Sequence, residues 1–286
     1  MIAIDGKKIA KAIRETIKTH VAGMNVKPGL AAILIGADPA SHLYVTLKER
    51  ACAEAGIHFE KHLFFASEPE EKILEKVREL NGRREIHGIL IQLPLPGNLN
   101  ENTIIAAMDP RKDVDGFHPD NQKLSLKGES NIEPVIIKAI MALIHSTGIS
   151  LAGKSAVIIA NSTTFSQPVE ASLARQNIRT KVVLYRPDTF TVGALEQADI
   201  IITAVGKPKL FSARHAKDGS VIIDIGTTRI NAGTEDEPIW KTVGDVDAEG
   251  AENKNIFLTP VPGGVGPVTV AMLLESVVKL ATQKFQ

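Results

Sequence analysis

Cysteine is nearly absent from this chain: a single thiol, Cys52, stands in 286 residues. That excludes an intramolecular disulfide and any zinc site built from several cysteines. It suits a reducing compartment. Excess charge of either sign is also absent, because 33 Lys and Arg balance 33 Asp and Glu. Overall charge therefore holds neither nucleic acid nor an anionic membrane. The opening residues, Met1-Ile-Ala-Ile-Asp-Gly-Lys-Lys8, have no basic start followed by a long apolar core, so no secretory signal is predicted. No apolar run approaches the ~20 residues that span a bilayer. The longest candidate, residues 135–144, is short and carries Lys138. Internal repeats and low-complexity tracts are missing as well. The expectation is a soluble cytoplasmic protein with no nucleic-acid or membrane partner.

What is present is ordinary globular composition, 44% hydrophobic and 23% charged. At roughly 150 residues per domain, the length suggests two domains. Short β-branched runs recur at 31–36, 88–92, 156–160, 181–184, 199–203 and 220–224, with helical patterns between them. Apolar runs of this length, bounded by Gly, Pro or Asp, predict strands buried on both faces. Strands alternating with helices predict βαβ units and a mostly parallel sheet, the α/β class. A polar stretch at 119–128 marks the expected domain break. A last helix, about 268–282, carries Met272, Leu273, Val277 and Leu280 at helical spacing and can pack on either domain.

Five segments could carry chemistry. In Ser41-His-Leu-Tyr-Val-Thr-Leu-Lys48, Asp38-Pro39 is a helix start and Gly56 a stop. Tyr44 and Lys48 lie four apart on one helix face, beside an expected buried stripe of Leu43, Leu47 and Ala51. Desolvation there would ease a lysine's loss of its proton; the alternative is a surface lysine and a half-buried tyrosine. In Gly88-Ile-Leu-Ile-Gln-Leu-Pro-Leu-Pro96, Gln92 ends a strand, where open α/β sheets place ligands. It offers a donor and an acceptor, either to a ligand or to the turn's own backbone. In Asp109-Pro-Arg-Lys-Asp-Val-Asp-Gly-Phe-His-Pro119, Asp113 and Asp115 lack further ligands at metal-loop spacing, and turn chemistry accounts for most of the stretch. Asp115 could instead accept hydrogen bonds from an amino-heterocycle, while His118, before a proline, reads as structural.

The other two segments are loops. Thr259-Pro-Val-Pro-Gly-Gly-Val-Gly-Pro-Val-Thr269 holds three glycines and three prolines, a density that lets backbone approach a ligand closely. After the run ending at Ala160 comes Asn161-Ser-Thr-Thr-Phe-Ser-Gln-Pro168 and a helix to about Gln176, with Pro168 expected at its first position and Ser166 as its cap. A strand–turn–helix presents free N–H groups to a phosphate. Yet Gly-x-Gly-x-x-Gly is absent, so the turn either uses its hydroxyl residues for that purpose or holds no ligand.

Taken together, the segments resemble the bifunctional methylenetetrahydrofolate dehydrogenase/methenyltetrahydrofolate cyclohydrolase family. Five blocks match in order: Tyr44-Val-Thr-Leu-Lys48, residues 88–96, Lys112-Asp-Val-Asp-Gly-Phe-His-Pro119, Ala198-Asp-Ile-Ile-Ile-Thr-Ala-Val-Gly-Lys-Pro208 and residues 259–267. Val243-Gly-Asp-Val-Asp247 looks like the family too. The resemblance implies a two-domain α/β homodimer with a folate-binding domain at 1–122, completed by the helix at 268–286, and a Rossmann-like, doubly wound NAD(P)-binding domain at 123–267. It implies a folate cleft between the two domains. Carried over by position, Lys48 is the catalytic lysine, Tyr44 packs on the folate ring system, Gln92 positions the lysine and Asp115 anchors the pterin. Ile91, Leu93, Pro262, Gly263, Gly264, Val265 and Gly266 line the folate site. Tetrahydrofolate derivatives are the implied partners, and no metal is implied.

The cofactor half departs from the family. The usual Gly-Arg-Ser is Ala160-Asn161-Ser162, and Val-Gly-x-Pro reads Phe165-Ser-Gln-Pro168. His-Ser-Arg-Thr is replaced around Tyr185-Arg-Pro-Asp188, Gly-Ile-Asn-Arg is Gly226-Thr-Thr-Arg229, and Pro-Cys-Thr-Pro is Pro134-Val-Ile-Ile137. The first change removes a bidentate partner for the 2′-phosphate of NADP, which Arg186 could restore from the neighbouring strand. The expected cofactor contacts are therefore Ala160, Asn161, Ser162, Arg186 and Thr227, with NADP ahead of NAD on family grounds. The leading expectation is oxidation of 5,10-methylenetetrahydrofolate and hydrolysis of the product to 10-formyltetrahydrofolate. Its rivals are a cyclohydrolase that has lost the redox step and uses no dinucleotide, a non-catalytic folate-binding protein, and a generic Rossmann dehydrogenase. The last leaves the Tyr44/Lys48 and Gln92 blocks unexplained.

Overall fold

A computed structural model describes residues 1–234 and 237–283. In chain order the elements are β1 (Ile2–Ala3), α1 (Gly6–Ala22), β2 (Gly29–Ile35), α2 (Pro39–Ala55), β3 (His58–Phe64), α3 (Glu70–Gly82), β4 (Gly88–Ile91), α4 (Glu101–Ala106), α5 (Pro119–Lys127) and α6 (Val135–Ser146). There follow β5 (Ser155–Ala160), α7 (Thr163–Arg175), β6 (Arg179–Leu184), β7 (Ile200–Ala204), β8 (Phe211–Ser212), β9 (Val221–Asp224), β10 (Thr228–Asn231), β11 (Trp240–Val243), β12 (Val246–Asp247), β13 (Phe257–Leu258) and α8 (Val265–Thr282). They group into two compact units, Met1–Ile9 with Ala139–Val268 and Ala10–Lys138 with Thr269–Gln286.

The first unit is a six-stranded sheet in the order β1-β13-β9-β7-β5-β6. Every neighbouring pair is parallel. From β5 the chain winds outward to β6, then returns to place β7 on the other side of β5. The carboxyl ends of β5 and β7 are thus the topological switch point, where doubly wound sheets bind ligands. Strands β7 and β9 are buried almost throughout, as their continuous apolar runs predict. The run at 181–184 differs: β6 has exposed and half-buried residues and none fully buried, because it is the sheet's edge and has a neighbour on one side only.

The second unit holds the parallel sheet β3-β2-β4. Central β2 is buried along its whole length, and Ile33, Ile73, Val77, Leu80 and Ile89 form its core with α3. Strand β3 escapes the sequence pattern because its edge position tolerates the polar sequence His-Phe-Glu-Lys-His. Helix α2 starts and stops where its signals say. Asp38 caps it by accepting from the Ser41 N–H at 2.8 Å, and Gly56 ends it in the left-handed region at φ 78°.

The polar stretch at 119–128, next to the expected domain break, holds helix α5, capped by His118 Nδ1. Three expectations are corrected. Helix α7 begins at Thr163 with Ser162 as its N-cap residue, so Pro168 lies inside the helix and Ser166 is buried within it. The run of hydroxyl residues starts the helix more than a turn before the proline, at the loss of one main-chain bond. Helix α8 begins at Val265, because first-turn N–H groups need no helical partner and Gly266 and Pro267 do not obstruct it. By length and composition α8 could cross a bilayer, contrary to the expectation of no such run, but 61% of it is buried in the fold. Met272, Leu273, Val277 and Leu280 are all buried.

Gly116, at φ 77°, is locked by its neighbours: a Cβ there would meet Pro134 Cα at 2.7 Å. Gly82 ends α3, and nothing lies within 4 Å of its Cβ position. Gly116→Ala is therefore expected to destabilise the protein by about 2 kcal/mol or more, and Gly82→Ala to stabilise it by up to about 1 kcal/mol. Thermal unfolding of the two variants measures both, and equal behaviour would contradict this packing.

Candidate active site

Lys48 owes its place to the start of α2. With the helix capped at Asp38, Ser41, Val45, Lys48, Cys52 and Ala55 fall on one stripe, and all but the half-buried lysine are buried. The expected stripe of Leu43, Leu47 and Ala51 is wrong for its two leucines, which are 59% and 42% exposed. Lys48 therefore lies on the buried stripe, not beside it. Tyr44, one turn earlier, is 39% exposed.

Gln92 follows β4, and its N–H donates to the Ile33 carbonyl of β2 at 2.9 Å. The side-chain Nε2 donates to the Leu93 carbonyl at 2.7 Å, which leaves Oε1 to accept from Lys48 Nζ at 3.0 Å. Gln92 ties its own turn, as the backbone reading expects, and by doing so it aims an acceptor at the lysine. Ile91 is buried in the core and Leu93 packs against it.

Asp115 reaches this end of the sheet because Asp113 pairs in parallel with Ile89, extending the sheet beside β4. The Asp113 carboxylate accepts from the N–H groups of Gly116 and His118 and from Asn121 Nδ2, at 2.8 to 2.9 Å. Buried Lys112 donates to the Leu80 and Arg83 carbonyls at the end of α3, and burial lowers its pKa. Asp113 is thus spent on shaping the loop. Asp115 lines a small pocket with Asp113 and the apolar side chains of Ile89, Ile91, Ile105, Met108 and Phe117. Burial pushes its carboxyl up to about 6; the charge of Lys48 opposes this and that of Asp113 adds to it.

Residues 262–266 belong to the six-stranded unit. Gly263 has φ 110°, the Gly264 N–H donates to the Pro260 carbonyl at 2.7 Å, and Val265 and Gly266 open α8.

At the switch point of that unit, Ala160 ends β5 and Asn161 Nδ2 donates to the Val205 carbonyl, just past β7, at 2.7 Å. The Ser162 hydroxyl makes no cap bond, and the first amides of α7 have no helical partner. The turn thus fits a dinucleotide phosphate without the glycine fingerprint. Arg186 is exposed, with Nη1 donating to the Tyr185 carbonyl at 2.8 Å. Thr227 is exposed, with its hydroxyl donating to Ile225 O.

Two buried acids that sequence reasoning passed over hold these loops. Asp245 accepts from the Thr203 hydroxyl and from the N–H groups of Val205 and Lys207 at 2.7 to 2.8 Å. Asp224 accepts from the N–H groups of Gly226, Asp245 and Val246, and burial pushes its carboxyl up to about 7. The available signal was an aspartate closing the apolar strand Val-Ile-Ile-Asp224.

A doubly wound sheet with a phosphate-ready switch point, and a second unit presenting an amine, an amide and a half-buried acid, define a two-domain α/β protein of the nucleotide-binding class. The family model described as tetrahydrofolate dehydrogenase/cyclohydrolase, catalytic domain, matches residues 4–115, and its NAD(P)-binding domain matches residues 134–285. The chain belongs to the tetrahydrofolate dehydrogenase/cyclohydrolase family. It is 41% identical over 281 residues to the bifunctional protein FolD of Bacillus subtilis, covering 97% of this chain and 96% of that one. The bifunctional FolD structure from Campylobacter jejuni superposes with a TM-score of 0.89 at 36% identity, covering 98% of each chain. The Trypanosoma brucei enzyme, solved with NADP and an inhibitor, gives 0.90 at 31% identity over 98% of this chain and 97% of that one.

Asp115 titrates near 3.8 when unfolded and near 6 when folded. The folded state's advantage from the neutral acid is complete below about pH 4 and lost as pH rises through 6. Asp115→Asn, which stays neutral, should therefore be more stable than the native chain at pH 7.5 by about 2–3 kcal/mol. The gain should vanish near pH 4. Calorimetric unfolding at both pH values measures it, and a variant less stable at pH 7.5 would contradict the burial argument.

Proposed function

We propose that this chain oxidises 5,10-methylenetetrahydrofolate to the 5,10-methenyl form with a nicotinamide dinucleotide and hydrolyses that product to 10-formyltetrahydrofolate. The observation that carries the reading is the 3.0 Å bond from Lys48 Nζ to Gln92 Oε1, with Asp115 in the same unit. A folate carrier that was only bound would need no amine aimed by an amide.

In the hydrolysis, water adds to the bridging carbon of the methenyl cation and loses a proton. The bond from that carbon to N5 then breaks as the remaining hydroxyl proton leaves to form the formyl carbonyl, and N5 takes up a proton. Lys48 handles these transfers, with Gln92 fixing the direction of its amine. Arginine could not substitute, because its guanidinium stays protonated. Asp115 accepts hydrogen bonds from the pterin's amino edge, and Tyr44 packs on its rings. Ile91 and Leu93 back this site, and Pro262, Gly263, Gly264, Val265 and Gly266 keep their folate-lining role.

When bound, the dinucleotide supplies a hydride acceptor, and the oxidation then depends chiefly on orienting two planar reactants. Ala160, Asn161 and Ser162 would hold its phosphates, with Thr227 and Arg186 completing the contacts. NADP is the preferred form in this reading. The working form is a cytoplasmic homodimer; Ile239 and Trp240, both more than half exposed, are apolar surface that a second copy would cover. The turn without glycine favours one further reading, a cyclohydrolase without redox activity.

Lys48→Met should lower methenyl hydrolysis by about 10²- to 10⁴-fold while folate still binds, as read by absorbance and by fluorescence titration. Unchanged hydrolysis would remove the lysine from its role. Oxidation assayed with NAD and with NADP separates the two enzyme readings: hydrolysis without oxidation leaves only the cyclohydrolase.

A further inference from the structure

We propose that Asn121, on helix α5, is a positioning residue for the folate reaction: through Asp113 it sets where Asp115 meets the pterin. This rests on the folate reading above. Asn121 lies in the polar stretch at 119–128, yet it is only 6% exposed. Asn121 and Ser125, four residues apart, are the buried residues of α5 and share one face of it.

A buried amide needs partners for its donors. The two hydrogens of Asn121 Nδ2 match two acceptors, the Pro110 carbonyl at 2.8 Å and Asp113 Oδ2 at 2.9 Å. The side chain thus joins the two ends of the turn at 110–113. Asp113 passes the constraint on. Its Oδ2 also accepts from the His118 N–H at 2.8 Å, and its Oδ1 accepts from the Gly116 N–H at 2.9 Å. Asp115 stands between Asp113 and Gly116, inside the loop that this last bond closes. The Asp115 carbonyl accepts from the Val135 N–H at 3.2 Å, and the backbone of Gly116 packs directly on Pro134. The main chain that carries the Asp115 carboxyl is therefore fixed on both sides.

Asp113 is fully buried and makes no ion pair among the described residues. The neighbouring amine of Lys112 is committed to the Leu80 and Arg83 carbonyls. Three N–H groups stabilise the Asp113 carboxylate, and Asn121 supplies the one that comes from a side chain. Without it, a buried carboxylate lacks a donor and the loop must shift to find another. An aspartate at 121 would be worse, because it has the same shape but would set a second carboxylate against the first. Lys48 and Gln92 stand outside these contacts, on α2 and at the end of β4, so the proton-transfer pair keeps its geometry when Asn121 is lost.

The test is steady-state hydrolysis of 5,10-methenyltetrahydrofolate by the full-length native protein, Asn121→Ala and Asn121→Asp, with far-ultraviolet circular dichroism to report folding. Asn121→Ala should raise KM about tenfold and leave kcat within about threefold. Asn121→Asp should raise KM at least as much. A residue that merely filled space would give the reverse order, with the isosteric aspartate close to native. An unchanged KM, a near-native Asn121→Asp or a loss confined to kcat overturns the proposal and leaves the folate reading standing. If Asn121→Asp does not fold, Asn121→Ala decides alone. If neither folds, Asn121 holds the fold and not the site, and the proposal is overturned. If the native chain does not hydrolyse the methenyl compound, the folate reading falls and the proposal falls with it.

Discussion

The proposed chemistry depends on one hydrogen bond, from the Lys48 amine on α2 to the Gln92 amide at the end of β4. Its geometry depends on features far down the hierarchy. Asp38 fixes where α2 begins, and that phase puts position 48 on the buried stripe. The pairing of β4 with β2 fixes the height of Gln92, and the bond to the Leu93 carbonyl decides which end of its amide faces the lysine. A one-residue change in either phase would turn Lys48 or Gln92 away.

Buried carboxylates shape the loops around this pair and around the switch point, and they do so in two ways. Asp113 and Asp245 each accept three hydrogen bonds from nearby N–H or O–H donors, so their burial is compensated and the loops are fixed. Asp115 sits against isoleucine, methionine and phenylalanine, and its carboxyl is pushed up towards neutrality. A buried acid that raises its own pKa is carried against the stability of the fold. In the proposed function Asp115 serves the ligand, whereas Asp113, two residues earlier in the same motif Lys112–Pro119, shapes the loop.

The sequence showed much of this. Apolar runs located β2, β4, β5, β7 and β9, because strands covered on both faces carry unbroken apolar stretches. The same criterion missed β3 and misjudged the burial of β6, since edge strands have no such requirement. Capping chemistry gave both ends of α2 but misplaced the start of α7, where the proline drew attention from the hydroxyl run ahead of it. Helical spacing alone could not say which side of α2 is buried; leucines made the better stripe by composition, but packing chose Ser41, Val45 and Cys52. The pairing of Lys48 with Gln92 came from a resemblance carried by ordered motifs. The roles of Asp224 and Asp245 were hidden because they depend on contacts between loops distant in the chain.

The central claim is that Lys48 and Gln92 act as one unit. A double-mutant cycle on methenyltetrahydrofolate hydrolysis, with Lys48→Met, Gln92→Met and the two combined, tests this most directly. If Gln92 works by orienting the amine, removing it from a chain that already lacks Lys48 should cost almost nothing, and the double variant should match Lys48→Met. Losses that multiply independently would show that the amide and the amine contribute separately, and the account given for their hydrogen bond would be wrong.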